Sequence, residues 1–212
     1  MKSPMQQALG ADWDRLAPVL QAHHRGGTAV ETGWLDVEFP TGLLPLVRAM
    51  GWLGALVHRR GRQIDTRVEK QVRDGRQHWR RTLRYVDGQS IRFDSSWVPT
   101  ADGHLIEYVN PFLGLELAPC VVAARLELRG LRFVLRLGPW LCPIPQWLAF
   151  GVTSIVEEAL DEGRFAMDFR MTHPWFGLLF RYAGVFEVEA PCPACPVHNP
   201  PSPPPGAAPT KG

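Results

Sequence analysis

From Arg62 onward the residues alternate between apolar and polar with a period of two, and Asp-Gly pairs break the alternation at short intervals. Ile64, Thr66, Val68 and Val72 alternate with Asp65, Arg67, Glu69 and Arg73. Successive side chains of an extended strand point to opposite faces, so this pattern fits strands with one face on a core and one in water. Asp74-Gly75, Asp87-Gly88 and Asp102-Gly103 supply the left-handed backbone that tight hairpins need. Between them, Trp79, Leu83 and Tyr85 make one inner row and Ile91, Phe93, Ser95 and Trp97 the next.

The same reading places a first strand at Thr32–Phe39 and others at His104–Val109 and Cys120–Arg129. Gly130 is expected to turn the chain into Leu131–Leu137, and Val152–Leu160, Arg164–Thr172 and Leu178–Val188 complete the set. The fold class is therefore mainly β (α+β), an antiparallel barrel or strongly bent half-barrel sheet of about nine strands. Two N-terminal helices accompany it. Met5–His24 carries Leu9, Trp13, Leu16 and Leu20 on one face, with Pro18 able to kink or split it. His23 and His24 end that helix, where its dipole favours an imidazolium; the alternative, less favoured, is that they close the pocket. Thr41–Val57 is apolar nearly all round, which suits burial or a membrane interface, and burial is expected because no Lys- or Arg-rich polar face is present.

Leu137–Val156 is twenty residues without a charge, but three prolines and two glycines forbid one continuous helix. It reads as an apolar lip between two strands, with Trp140 and Trp147 as gatekeepers of a cavity. A single β-rich domain is expected over residues 1–189 and a Pro-rich disordered tail over 190–212.

Composition narrows the function classes. A net charge of +2 argues against a nucleic-acid partner. Eleven Arg or Lys residues face four acids between His58 and Arg92, while Glu157–Asp168 holds five acids and one Arg. The two segments either pair or form separate patches. No apolar leader follows Met1 and no unbroken span is present, so a soluble cytoplasmic protein is expected. Cys120 and Cys142 sit in apolar segments and read as reduced core residues. The chain lacks G-x-G-x-x-G, Walker A, G-x-S-x-G and H-E-x-x-H motifs, so no cofactor is expected. Cys192-Pro-Ala-Cys195 with His198 is at most half a zinc site in a proline-rich setting, and no metal is expected.

Four polar residues fall out of turn on the apolar faces. Arg81 lies between Trp79 and Leu83, Glu107 between Leu105 and Val109, Glu158 in phase with Val152 and Val156, and Tyr182 in phase with Phe180 and Phe186. A buried charge costs several kcal/mol unless paired, so these residues either meet inside a cavity or, through a slipped register or bulge, lie in solvent. The expected ligand is an apolar or amphipathic small molecule held by Trp79, Arg81, Glu107, Glu158 and Tyr182, with Trp140 and Trp147 at the mouth. Two other classes stand beside it. One is an isomerase, cyclase or hydrolase with Glu158 or Glu107 as base; the other is an interaction module whose Trp140–Phe150 loop meets a partner or a membrane surface. Membrane contact is the less favoured of the partner readings.

Three motifs in order resemble a known family. They are Pro143-Ile-Pro145-Gln-Trp147-Leu148, then Glu158 followed by Gly163-Arg164-Phe165-Ala166-Met167-Asp168, then Pro174-x-x-Gly177-x-x-x-x-Tyr182-x-Gly184. They are similar to those of the bacterial domain-of-unknown-function family numbered 4166, and the likeness spans about residues 9 to 188. Phe150 stands where the family pattern has proline and Met167 where it has an aromatic residue. The resemblance brings no activity with it. Relatives joined to Rossmann-type reductase-like domains imply an accessory or substrate-holding role.

Overall fold

The computed structural model describes residues 2–146 and 151–188. Trp147, Phe150, Cys192, Cys195, His198 and the Pro-rich tail lie outside the described residues. Among the described residues there are three short α-helices, α1 (Pro4–Leu9), α2 (Pro18–His24) and α3 (Leu44–Trp52). Eleven strands among the same residues follow the order β1 (Thr28–Glu38), β2 (Gly61–Arg73), β3 (Arg76–Arg84), β4 (Ser90–Pro99), β5 (Leu105–Tyr108), β6 (Leu113–Val122), β7 (Arg125–Leu137), β8 (Trp140–Ile144), β9 (Val152–Ala159), β10 (Arg164–His173) and β11 (Gly177–Val188).

Ten of these strands close an antiparallel barrel. The order β6-β5-β4-β3-β2-β1-β11-β10-β9-β7 returns on itself because β6 also pairs with β7. Closure removes the free edges that an open sheet would expose. β7 serves two neighbours in turn. Leu126–Arg129 pairs with β9, and Phe133–Leu137 pairs with β8, which stays outside the ring. Apolar side chains of every barrel strand fill one interior core.

Several local expectations change. The first helix is two, because Leu16 and Ala17 are extended and Pro18 starts α2, where its missing N–H is harmless. The turn expected at Gly130 falls instead at Ala123-Ala124, both left-handed at φ 50° and 63°. Alanine carries no signal for such a turn. Gly130 is inside β7 beside a bulge, where a Cβ would come within 2.6 Å of the Gln146 Nε2. The uncharged lip contains β8, whose Pro143 is tolerated because the strand is an edge. α3 is not buried all round: Val47 and Met50 face inward while Leu46 and Trp52 are exposed. Cys120 is half-buried and Cys142 exposed, so neither is a core residue. Among the described residues no helix is long and apolar enough to cross a membrane.

The helices sort to the two ends. α1 packs on β4, β5 and β6, and α2 on β9, β10 and β11, at the end where β2 turns into β3. α3 connects β1 to β2 across the other end.

Candidate functional site

Inward-facing residues of the barrel form three layers along its axis. The first, under α2, is ionic. His23 and His24 leave the last turn of α2 and enter the barrel, where both are buried. Glu31 on β1, Lys70 on β2 and Glu157 on β9 meet them there, all buried. Each strand residue lies in phase with its own apolar row, so the pleat itself aims it inward. His23 Nδ1 is 2.8 Å from the Glu31 carboxylate and His24 Nε2 is 2.6 Å from Glu157 Oε2. Lys70 Nζ donates to Glu31 and to the His23 carbonyl.

Electrostatics fix the charges in this layer. Burial alone would raise the Glu157 pKa, but His24 and His23 outweigh it and hold the carboxyl well below the ordinary carboxylate range. Glu31 is likewise held low against burial, by His23 and Lys70. Burial disfavours the His23 imidazolium, yet Glu31 and Glu157 keep its pKa above the usual value. His24 is driven down to about 4 by burial, only partly offset by Glu157, and is neutral at pH 7. The two carboxylates thus favour the protonated form of His23, while burial lowers the Lys70 pKa against the pull of Glu31.

The same residues could hold a metal. Nitrogens of His23 and His24 and a Glu157 oxygen lie within 4.8 Å of one another. Glu31 on the far nitrogen of His23 resembles the carboxylate that orients a metal-bound histidine. Lys70 Nζ lies 3.1 Å from His23 Nδ1 and competes with an ion for the Glu31 support of that ring.

The middle layer is built by β3, β4, β5 and β11. Arg81 donates to Ser95 Oγ at 2.8 Å and to Glu107 Oε1 at 3.4 Å, and Ser95 donates to the same Glu107 oxygen at 2.7 Å. The Arg81 guanidinium also lies over the rings of Trp79 and Phe93. Trp79 and Trp97 are buried 4.9 Å apart. Tyr182 stacks on Phe169 at 4.5 Å, and burial pushes its phenol pKa up, so it is a neutral donor. Neither its hydroxyl nor Glu107 Oε2 has a hydrogen-bond partner among the described residues.

The third layer, under α3, is apolar. A cavity of about 50 Å³ is bounded there by Met50, Leu56, Phe133, Met171 and Phe180. A second of about 30 Å³ lies deeper, against Trp79, Trp97, His23 and Glu157. Glu107 and Tyr182 line both cavities and stand between them.

Trp79, Arg81, Glu107 and Tyr182 are thus brought together, as their positions in the alternation imply. Glu158 is not with them. It lies on the outer face of β9 beside Arg125, 3.5 Å away, because Thr153, Ile155 and Glu157 make the inner row. Trp140 is also elsewhere, exposed at the start of β8 and in neither cavity. Trp147 lies outside the described residues. His23 and His24, read as helix-terminal residues or as a closure of the pocket, do enter the barrel, and the residues missed are Glu31, Lys70 and Glu157. Lys70 falls two after Val68, so the test that found Glu107 would have found it, whereas Glu31 precedes the strand expected at Thr32–Phe39, which in fact begins at Thr28. The two charge-biased segments do not pair as blocks, since β1, β11 and β10 separate β2 from β9.

Residues 16–186 match the family described as Domain of unknown function (DUF4166), and the chain belongs to that family. Comparison with the curated proteins gives no match.

Proposed function

We propose that this member of the DUF4166 family binds an apolar or amphipathic small molecule inside its barrel. The apolar part would lie under α3 and the polar part against Glu107 and Tyr182. The observation that carries this reading is a pair of free polar groups, Glu107 Oε2 and the Tyr182 hydroxyl, standing between a largely apolar cavity and a deeper one that also meets His23, Arg81 and Glu157. Ligand sites are mostly apolar with a few placed polar groups that fix orientation. Arg81 and Ser95 hold Glu107 by its other oxygen, so the free one is pre-aimed.

A cavity of about 50 Å³ admits only a few atoms, so a larger ligand requires α3 to yield. α3 suits that role, with only Val47 and Met50 of its residues buried. Native mass spectrometry of gently purified protein tests the reading by the mass of a retained ligand. Tyr182→Phe removes one hydrogen bond and should lower ligand affinity about five-fold. Protein that emerges bare under all gentle conditions counts against the reading.

The free Glu107 oxygen also supports a second reading, in which it acts as a base on the bound molecule. Glu107→Gln would then leave ligand bound but unconverted. Catalysis by Glu158 is not retained, since that side chain faces outward.

A further inference from the structure

The barrel has two unlike ends. Five connections meet at the α3 end, and each carries an exposed large apolar side chain. They are Trp52 with Leu53 between β1 and β2, Val86 between β3 and β4, and Phe112 between β5 and β6. Trp140 follows β7, and Trp175 with Phe176 joins β10 to β11. Trp52, Trp175 and Trp140 are 89%, 75% and 73% exposed, so these rings stand in solvent. At the α2 end the described connections expose only Val122 and Leu160 among large apolar residues. Scattered exposed apolar residues need no explanation, but their gathering at one end does.

Charge accompanies the rings. Arg48 on α3, Arg60 and Arg62 before and in β2, and Arg136 near the end of β7 are exposed and have no carboxylate partner among the described residues. Of the acids near this end, Asp87, Glu38 and Asp65 are paired with Arg59, Arg181 and Arg84, while Asp36 accepts from the Gln63 amide and keeps its charge. The rim therefore combines tryptophans with unneutralised arginines.

We propose that the α3 end docks on an anionic membrane surface. Tryptophan rings favour the headgroup level, and arginines reach outward to anionic lipid. A protein partner's interface would bring acids as well as apolar groups; a bilayer supplies both properties together over the width of a barrel end. The docking stands on the surface alone. Where the ligand reading also holds, the docked end is the one whose helix covers the apolar cavity, and an amphipathic molecule could pass between bilayer and barrel without crossing water.

Co-sedimentation of the full chain with vesicles of phosphatidylcholine alone, or of phosphatidylcholine with phosphatidylglycerol, tests it. The expected result is binding to the anionic vesicles that weakens with added salt. Trp52→Ser with Trp175→Ser should cost at least about tenfold in binding, and Arg48→Glu with Arg62→Glu should abolish the preference for anionic lipid. All four side chains are exposed, and an unchanged melting curve confirms that the variants fold. Absence of sedimentation with anionic vesicles overturns the proposal, as does binding indifferent to these substitutions. A concentration-dependent dimer that shields Trp52 overturns it too, in favour of a second copy. Bound ligand is read separately by mass, so either idea can fail while the other stands.

Discussion

Glu157 on β9 and His24 at the end of α2 are separated by more than a hundred residues of chain, yet they touch at 2.6 Å in the interior of the barrel. That contact fastens the helical plug to the wall. Removing one partner of a buried pair strands the other, which costs roughly 3–5 kcal/mol. Glu157→Ala should therefore lower the urea-derived stability by about that amount, and Glu158→Ala should change it by less than about 1 kcal/mol because its partner Arg125 is exposed. Equal effects at the two positions would contradict the assigned register.

The same layer shapes the pH dependence of folding. His24 has a folded pKa of about 4, below its ordinary 6.5, so the unfolded chain binds its proton first as pH falls. Stability contributed by neutral His24 is present above pH 6.5 and is lost as the pH drops toward 4. His23 acts in the opposite sense, since its folded pKa is raised and its contribution fades as pH climbs from 6.5 through that value. Glu31 and Glu157, both held low, add a further loss once the pH falls below 4.5. Urea midpoints should peak near neutrality, and His24→Gln should flatten the limb between 6.5 and 4, worth on the order of 3 kcal/mol in the parent. An unchanged limb would mean that His24 is not the group responsible.

Glu31 and Lys70 invite a double-mutant cycle. Glu31→Leu leaves the buried Lys70 without a contacting carboxylate, and Lys70→Met leaves the buried Glu31 with His23 alone. The double variant removes both charges and fills the space with apolar atoms. It should be more stable than either single variant by roughly 2 kcal/mol or more, because burying a pair is far cheaper than burying one charge. Additive losses would show that the two side chains do not depend on one another.

How much of this was legible depends on what a period of two can carry. The inner rows of β3, β4 and β11 were readable because Trp79, Phe93, Trp97 and Phe180 leave only one choice of face. β9 was not, since Glu157 and Glu158 are adjacent and apolar residues occur on both faces, Ile155 within and Val152 without. A one-residue error then exchanges the buried acid for the exposed one. Closure was beyond the reading, because it rests on β6 meeting β7 after a turn made of two alanines. His23 and His24 were visible as helix-terminal residues, but nothing local tells that the helix end points into a barrel rather than out of one.

That alanine turn stores strain that can be removed. Ala123 and Ala124 both adopt the left-handed conformation, at φ 50° and 63°, to join β6 to β7 in a two-residue hairpin. For a residue with a Cβ this region costs roughly 1–2 kcal/mol, and Asn and Gly are the residues that occupy it most readily. The Ala124 carbonyl also accepts the Ala17 amide at the start of α2, so the turn positions the helix that carries His23 and His24. A main-chain carbonyl survives any substitution. Ala123→Asn with Ala124→Gly should thus keep the α2 contact and raise stability by about 1 kcal/mol or more in urea unfolding. The extra backbone freedom that glycine gives the unfolded chain sets the upper limit on the gain. A loss of stability would mean that the methyl groups, and not the backbone conformation, hold this corner of the barrel closed.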